Sequence, residues 1–273
     1  MVSLGGLMRT LSVARYPHTP LIARLTGKRK AITFKNGYKF RLTWRQFTIL
    51  RDNYDLVQKY HLEQVDEETF KFSNGRFTFV GSPVLMCIVS EMDSGVYNCE
   101  CSGKTVLDIG GFQGESAVFF SGMGARKVVV YEPVVANLRF ITENIALNHV
   151  DAEIHDEGIG IEDGEVTVPY EEANNIFGLF HKGPNEMKIK IRNISNVIKE
   201  SGAEIAKFDC EGAEESLTSV PTERLRQIEL YFIEAHTLQI KKALKQKFEN
   251  AGFMLIKDAQ ENESISLISL RRK

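Results

Sequence analysis

The sequence predicts a doubly wound α/β fold: a seven-stranded mixed sheet with a terminal antiparallel hairpin, preceded by an N-terminal α+β accessory region. Three observations predict it. From Lys104 onward, short runs rich in valine and isoleucine alternate with helical patterns, as expected of strands covered on both faces. The links between them are mostly short, which implies parallel strands joined by helical crossovers. Residues 1–100 lack that alternation and carry two hairpin signals instead, Asn36-Gly37 and Asn74-Gly75. The expected division is therefore an accessory region over 1–100 and a ligand-binding domain over 101–273.

In chain order, residues 1–30 read as one or two short basic helices broken by Pro17 and Pro20. Residues 31–43 and 69–80 read as hairpins, the second alternating Phe70, Phe72, Phe77 and Phe79, and 44–65 reads as helix. VLDI (106–109) and VVVYE (128–132) read as buried strands flanking a helix over 115–123 that Gly122 and Gly124 end. A helix over 134–147 places Val134, Leu138, Ile141 and Ile145 on one face. Strands are expected at 152–157, 187–191, 205–209 and 230–235. Helices are expected near 194–200 and at 238–250, the latter with Ile240, Leu244 and Phe248 on one face. GFMLIKD and SISLISL form the closing hairpin.

Composition is that of an ordinary globular chain, 43% hydrophobic and 26% charged among 273 residues. No apolar run reaches the length of a membrane span, and the first twenty residues lack the apolar block of a secretory signal. The four cysteines, Cys87, Cys99, Cys101 and Cys210, form no CxxC pair, so free thiols in a reducing cytoplasm are expected. The net charge of −2 conceals an asymmetry: residues 1–51 carry eleven Lys or Arg and no acid, leaving −13 on the remainder. Such a basic segment suits RNA or an anionic lipid surface, or packs against an acidic body. The sequence is silent on oligomeric state.

The stretch 104-KTVLDIGGFQGESAVFF-120 poses the functional question. A dinucleotide GxGxxG does not fit, because Phe112 occupies the place of its second glycine, and no Lys-Ser/Thr follows to make a Walker loop. Asp108, directly before the glycines, would repel phosphate and suits a cation. A ligand with an ammonium, a ribose and an adenine but no phosphate is S-adenosylmethionine. Asp108 would face its ammonium, while Gly110, Gly111 and Gly114 admit close backbone approach with Phe112 packed nearby. Glu132, with Pro133 beside it, would accept from the ribose hydroxyls, and Glu157, Gly158 and Ile159 at the third strand's end lie where adenine is expected.

At this point the chain resembles a known family. VLDIGGFQGESAVFF, VVVYEPVVANLRFITENIALN and 206-AKFDCEGAEESL-217 are similar to class I S-adenosylmethionine-dependent methyltransferases, which have a Rossmann-like fold. Within them, Asp209-Cys210-Glu211-Gly212-Ala213-Glu214 after an apolar strand resembles the D-x-E-G-A-E motif of the FkbM family. The likeness spans roughly residues 85–257 and implies O-methylation of a hydroxyl on a sugar, glycolipid or secondary metabolite. Gly111-Phe112-Gln113 departs from that family's Ala-Asn-hydrophobic loop, and the basic N-terminal region has no counterpart in it.

Methyl transfer from a sulfonium is an in-line displacement that the protein assists by alignment and by a base near the acceptor. Asp209 and Glu211 at one strand end, and Glu234 and His236 at the next, supply the candidates. His236 is the expected base near neutral pH, and Asp209 a base or a positioning group for sulfonium and acceptor. Paired acids would also suit a divalent ion held with the acceptor's hydroxyls, but no metal ligand is assigned from the sequence. Three other readings stand beside this one: an RNA methyltransferase holding phosphates on residues 1–51, a binding protein of the same fold without turnover, and a nicotinamide-linked oxidoreductase.

Overall fold

The computed structural model describes residues 4–171, 176–177, 185–260 and 264–273. The chain divides into two compact units, Met1–Val96 and Tyr97–Lys273.

The first unit opens with helices α1 (Leu4–Val13) and α2 (His18–Thr26). Pro17 stands just ahead of α2, and Gly27 ends it in a left-handed conformation. Strands β1 (Lys30–Thr33) and β2 (Lys39–Leu42) pair antiparallel, the turn passing through Gly37 at φ +99°. Helix α3 (Trp44–Asp52) starts at a capping box between Thr43 and Gln46. The expected single helix over 44–65 is not what forms. Asn53 breaks it, α4 covers only Tyr54–Lys59, and β3 (His61–Gln64) follows. The reason is local: Leu62 is buried between exposed His61 and Glu63, a period-two pattern that suits a strand. β3, β4 (Phe70–Ser73) and β5 (Thr78–Gly81) form an antiparallel three-stranded sheet in that order, and α5 (Pro83–Asp93) closes the unit. Phe34, Phe40, Phe47, Phe70, Phe72 and Phe79 are all buried at its core.

The second unit is a doubly wound α/β domain. Its elements are β6 (Thr105–Ile109), α6 (Glu115–Gly122), β7 (Lys127–Tyr131), α7 (Val135–Leu147) and β8 (Ala152–His155). A side excursion follows through β9 (Glu157–Gly160), β10 (Gly164–Glu171), β11 (Ile176–Phe177) and β12 (Asn185–Asn193). The chain then returns through α8 (Ile194–Ser201), β13 (Ile205–Phe208), a 3-10 helix (Ala213–Ser219), α9 (Thr222–Leu225) and β14 (Leu230–Ala235). It ends with α10 (Leu238–Asn250), β15 (Phe253–Gln260) and β16 (Ser266–Arg272).

The main sheet has seven strands in the order β15-β16-β14-β13-β6-β7-β8. β14, β13, β6, β7 and β8 are mutually parallel, whereas β16 runs antiparallel between β14 and β15. The order reverses between β6 and β13, the switch point beyond whose strand ends open α/β sheets bind ligands. Ile109, Phe208, Tyr231, Leu244 and Phe253 belong to the core that fills this sheet's cover.

Three expectations change here. The strand expected at 187–191 lies in β12, which belongs to a second, four-stranded sheet and pairs parallel with β9. The strand expected at 152–157 stops at His155, so Glu157, Gly158 and Ile159 form β9 of that side sheet and not the end of the third main strand. Helix α7 also turns a different face inward: Asn137, Phe140, Ile141 and Asn144 are buried, while Leu138 and Ile145 are only half-buried. Its two buried asparagines serve the glycine loop.

Candidate functional site

Residues 110–114 leave the end of β6 and enter α6 facing the end of β13. The glycines there answer to the protein itself. A Cβ on Gly110, at φ +81°, would lie 1.7 Å from the Asp209 carbonyl oxygen. One on Gly111 would lie 2.2 Å from Val130 Cγ1, and one on Gly114 3.1 Å from Ile141 Cα. Their bare Cα atoms let the loop seat against β13, β7 and α7. Between them Phe112 adopts φ +41°, and beyond β13 Glu211 adopts φ +54°. Left-handed conformations at two non-glycine residues, one in each of the loops that flank the switch point, cost energy that only the surrounding structure can impose.

Glu132, just past the end of β7, is buried and holds this loop in place. Its Oε2 accepts from the Phe112 amide at 2.9 Å, and its Oε1 accepts from the Val134 amide at 2.9 Å and Asn137 Nδ2 at 3.3 Å. Burial pushes its carboxyl up to about 7, against the hydrogen bonds that favour its charge. Pro133 beside it is half-buried. From α7, Asn144 Nδ2 donates to the Gln113 carbonyl at 2.7 Å. Glu115, opening α6, is fully enclosed, and burial pushes its carboxyl up to about 8 against the attraction of Lys207.

Asp108 does not stand open toward a ligand. Its side chain is wholly buried, accepts from Ser116 Oγ, and lies 3.2 Å from Lys207 Nζ. Lys207 also donates to the Gly110 carbonyl at 2.7 Å and lies 3.8 Å from Asp209 Oδ2. Burial opposes the charge on Lys207, but Asp108, Asp209 and Glu115 outweigh it and hold the ammonium above its ordinary pKa. The sequence reading placed a ligand's ammonium beside Asp108; the chain's own lysine occupies that position. Lys207 went unrecognised because it reads as one polar residue inside the buried run IAKF.

The D-x-E-G-A-E segment follows β13. Glu214 is buried, and its Oε1 accepts from both the His236 amide at 3.0 Å and His236 Nδ1 at 3.1 Å, while Oε2 accepts from the Gly212 amide at 2.9 Å. It thus ties the loop after β13 to the end of β14. Burial works against the charged imidazole, but the bond and charge of Glu214, joined by Asp209 and Glu211, push His236 up to about 9. That shift favours the charged imidazole, which weighs against His236 as the general base expected from the sequence. Its other ring nitrogen, Nε2, faces Glu211 Oε2 at 3.6 Å, Glu234 Oε1 at 3.7 Å and Asp209 Oδ1 at 3.9 Å. Burial and the charges of Glu214 and Asp209 push the Cys210 thiol well above its ordinary value, which disfavours the thiolate. All four cysteines are free.

The structure thus brings Asp108, Gly110, Gly111, Phe112, Gly114, Glu132, Asp209, Glu211 and His236 to the carboxyl edge of the main sheet. Glu157, Gly158 and Ile159 begin the side sheet instead. The sequence reading missed Lys207 and Glu115, and it took Glu214 no further than a member of the D-x-E-G-A-E motif.

No protein-family model matches the chain, and no curated protein matches it. Among solved structures it is similar to a candidate RNA methyltransferase from Pyrococcus horikoshii, at 10% identity and TM-score 0.43 over 68% of this chain and 85% of that one. It is also similar to a precorrin methyltransferase from Geobacter metallireducens, at 11% identity and TM-score 0.41 over 69% of this chain and 88% of that one. A third likeness, to a candidate S-adenosylmethionine-dependent methyltransferase from Streptococcus mutans, has 11% identity and TM-score 0.47 over 76% of this chain and 56% of that one. Likenesses this distant assign no activity.

Proposed function

We propose that this chain is a class I S-adenosylmethionine-dependent methyltransferase of the FkbM kind that methylates a hydroxyl of a small-molecule or glycan acceptor. The observation that carries the reading is the sign of the charge at the switch point. Glu132, Asp209, Glu211 and Glu234 reach this edge, while Asp108 and Lys207 neutralise each other beneath the loop, where Lys207 also holds the Gly110 carbonyl. A pyrophosphate would meet carboxylates there; a cationic sulfonium nucleoside would not be repelled.

Glu132 supports the same reading. A carboxylate offers about four lone-pair sites, and the Phe112, Val134 and Asn137 donors leave room for a ribose hydroxyl. The loop that Glu132 holds would present backbone groups to the methionine part, and Pro133 and β9 residues Glu157, Gly158 and Ile159 are the proposed adenine side. Asp209, whose side chain is 34% exposed, is the carboxylate placed to meet the acceptor and align it in line with the sulfonium. Glu211 lies beside it.

Calorimetric titration of the full chain tests the reading. S-adenosylmethionine and S-adenosylhomocysteine should bind at one equivalent and NAD should not. Binding of NAD in their place, or of none of the three, overturns it. Mass spectrometry of extracts incubated with enzyme and isotope-labelled S-adenosylmethionine would then identify the acceptor.

One observation favours RNA as the acceptor instead. The first unit carries fourteen basic against eight acidic residues. Arg9, Arg29, Arg41 and Arg51 pair with acids of that unit, whereas Lys28, Lys30, Lys35, Lys39 and Arg45 make no ion pair among the described residues. RNA binding that weakens steeply with salt and is lost in a Lys35→Glu/Lys39→Glu variant would favour it over a small acceptor.

A further inference from the structure

Two short helices of the first unit turn apolar side chains toward water. In α1 the inward positions are Gly6, Thr10 and Val13, all buried. They seat the helix on α3, where Arg51 Nη1 donates to the Gly6 carbonyl and the Thr10 hydroxyl, each at 3.4 Å. At about 100° per residue, Leu4, Met8 and Leu11 fall on the opposite side within an arc of roughly 60°. Leu4 is 78% exposed and Met8 61%, and Leu11 is exposed with them. In α2, which also packs on α3, Pro20 and Ala23 face inward while Ile22 and Leu25 are exposed, Leu25 at 85%. Scattered exposed leucines are ordinary, but a continuous apolar stripe along the outer face of a helix marks a surface that something covers.

The charge around this stripe has one sign. From Leu4 through Lys30 the chain carries Arg9, Arg15, Arg24, Lys28, Arg29 and Lys30 and no acid. Arg9 and Arg29 reach acids elsewhere in the unit, at Asp52 and Glu67. Arg15 and Lys28 are exposed and make no ion pair among the described residues. Arg15 follows the stripe of α1 and Lys28 lies three residues past Leu25, so each apolar face has such a cation next to it. Apolar side chains flanked by cations fit the boundary of an anionic bilayer, where acyl chains cover the first and lipid phosphates meet the second. RNA would meet the cations, but its bases stack on aromatic rings and leave leucine and methionine uncovered. A second copy facing this surface across a twofold axis would bring like charges together.

We propose that the outward faces of α1 and α2 form a docking surface for an anionic phospholipid membrane. Leu4, Met8 and Leu25 would enter the acyl boundary, and Arg15 and Lys28 would meet headgroup phosphates. The inference does not rest on the methyltransferase reading, whose cofactor residues all lie in the second unit.

Co-sedimentation of the full chain with lipid vesicles tests it. The chain should bind phosphatidylcholine vesicles that contain phosphatidylglycerol, bind pure phosphatidylcholine weakly, and lose anionic binding as salt is added. Met8→Gln combined with Leu25→Gln removes exposed apolar surface while keeping good helix formers. That pair should weaken vesicle binding by about tenfold or more and leave the thermal melt unchanged. Arg15→Gln with Lys28→Gln should reduce the preference for anionic vesicles. No binding to anionic vesicles overturns the proposal, as does binding that the Met8→Gln/Leu25→Gln pair leaves intact. Binding of polyuridylate in place of vesicles would assign the cations to RNA and overturn it too. So would a chain that sediments as a dimer, becomes a monomer in the same double variant, and binds no vesicles. S-adenosylmethionine titrated in parallel separates the two ideas: cofactor binding without vesicle binding sinks only the docking surface, and vesicle binding without cofactor binding sinks only the methyltransferase reading.

Discussion

Lys207 Nζ lies 3.2 Å from Asp108 Oδ1, with both side chains closed to solvent and directly opposite each other in the register of β13 on β6. This pair, rather than a ligand, neutralises the carboxylate in front of the glycines. It also anchors the loop, because the same ammonium holds the Gly110 carbonyl. Removing one partner of a buried pair leaves the other charge uncompensated, at a cost of about 3–5 kcal/mol. Lys207→Met should therefore be destabilised by that order in urea denaturation. Asp108→Asn combined with Lys207→Met should recover part of the loss, because no isolated charge remains. A Lys207→Met variant as stable as the parent would show the pair to be unimportant.

Glu115 gives a pH dependence of defined sign. Burial raises its folded-state value to about 8 from an ordinary 4.5, so the folded state holds a proton that the unfolded state releases. Its contribution to stability is complete below pH 4.5, falls as pH rises toward 8, and levels off above. Glu115→Gln keeps an acceptor for the Gln113 amide and removes the titration. Thermal melts should show the variant gaining on the parent between pH 5 and 9, by on the order of a few kcal/mol at the upper end. Parallel stability curves would mean that the carboxyl ionises freely where it sits.

The parts of the site legible in the sequence were those written within a few residues of each other. Asp108 with Gly110, Gly111 and Gly114, Glu132 one strand later, and Asp209 through Glu214 each announced a strand end. What escaped was written across the sheet. Lys207 meets Asp108 only because β13 lies next to β6, and Glu214 meets His236 only because β14 lies next to β13. Buried polar partners for a loop also hid in α7, where Asn137 and Asn144 take the inward face that apolar spacing had given to Leu138 and Ile145. The side sheet was illegible for a different reason: β8 and β9 are separated by a single residue, Asp156, and read as one strand. In the first unit, β3 was absorbed into a helical reading because its four residues continue the polar texture of α4.

The glycine loop makes a steric prediction. At Gly110 a methyl group would overlap the Asp209 carbonyl, 1.7 Å away, and the residue also requires φ +81°. Neither backbone can yield without moving β6 or β13. Gly110→Ala should cost more than about 2 kcal/mol and shift the loop away from the switch point, lowering cofactor affinity as well. Gly164→Ala is the control. A Cβ there meets nothing within 4 Å, so its effect should stay within about 0.5 kcal/mol. Chemical denaturation of the two variants side by side reads the difference.

Glu132 links the fold to the proposed ligand most directly. In the free protein burial holds its carboxyl near 7, so roughly half the molecules carry it protonated at neutral pH. Ribose hydroxyls donate more strongly to the carboxylate than to the neutral acid, so binding should favour the ionised form and release a proton. Affinity for S-adenosylhomocysteine should then rise as pH is raised through 7, its Kd changing by up to about tenfold per pH unit on the acid side and levelling above 8. Glu132→Gln keeps an oxygen to accept from the Phe112 amide while removing the charge. It should bind more weakly at pH 8 and show a flat profile between 6 and 8. Calorimetry in buffers of different ionisation enthalpy would count the released proton. A Kd that holds constant for the parent across this range would place the ribose elsewhere.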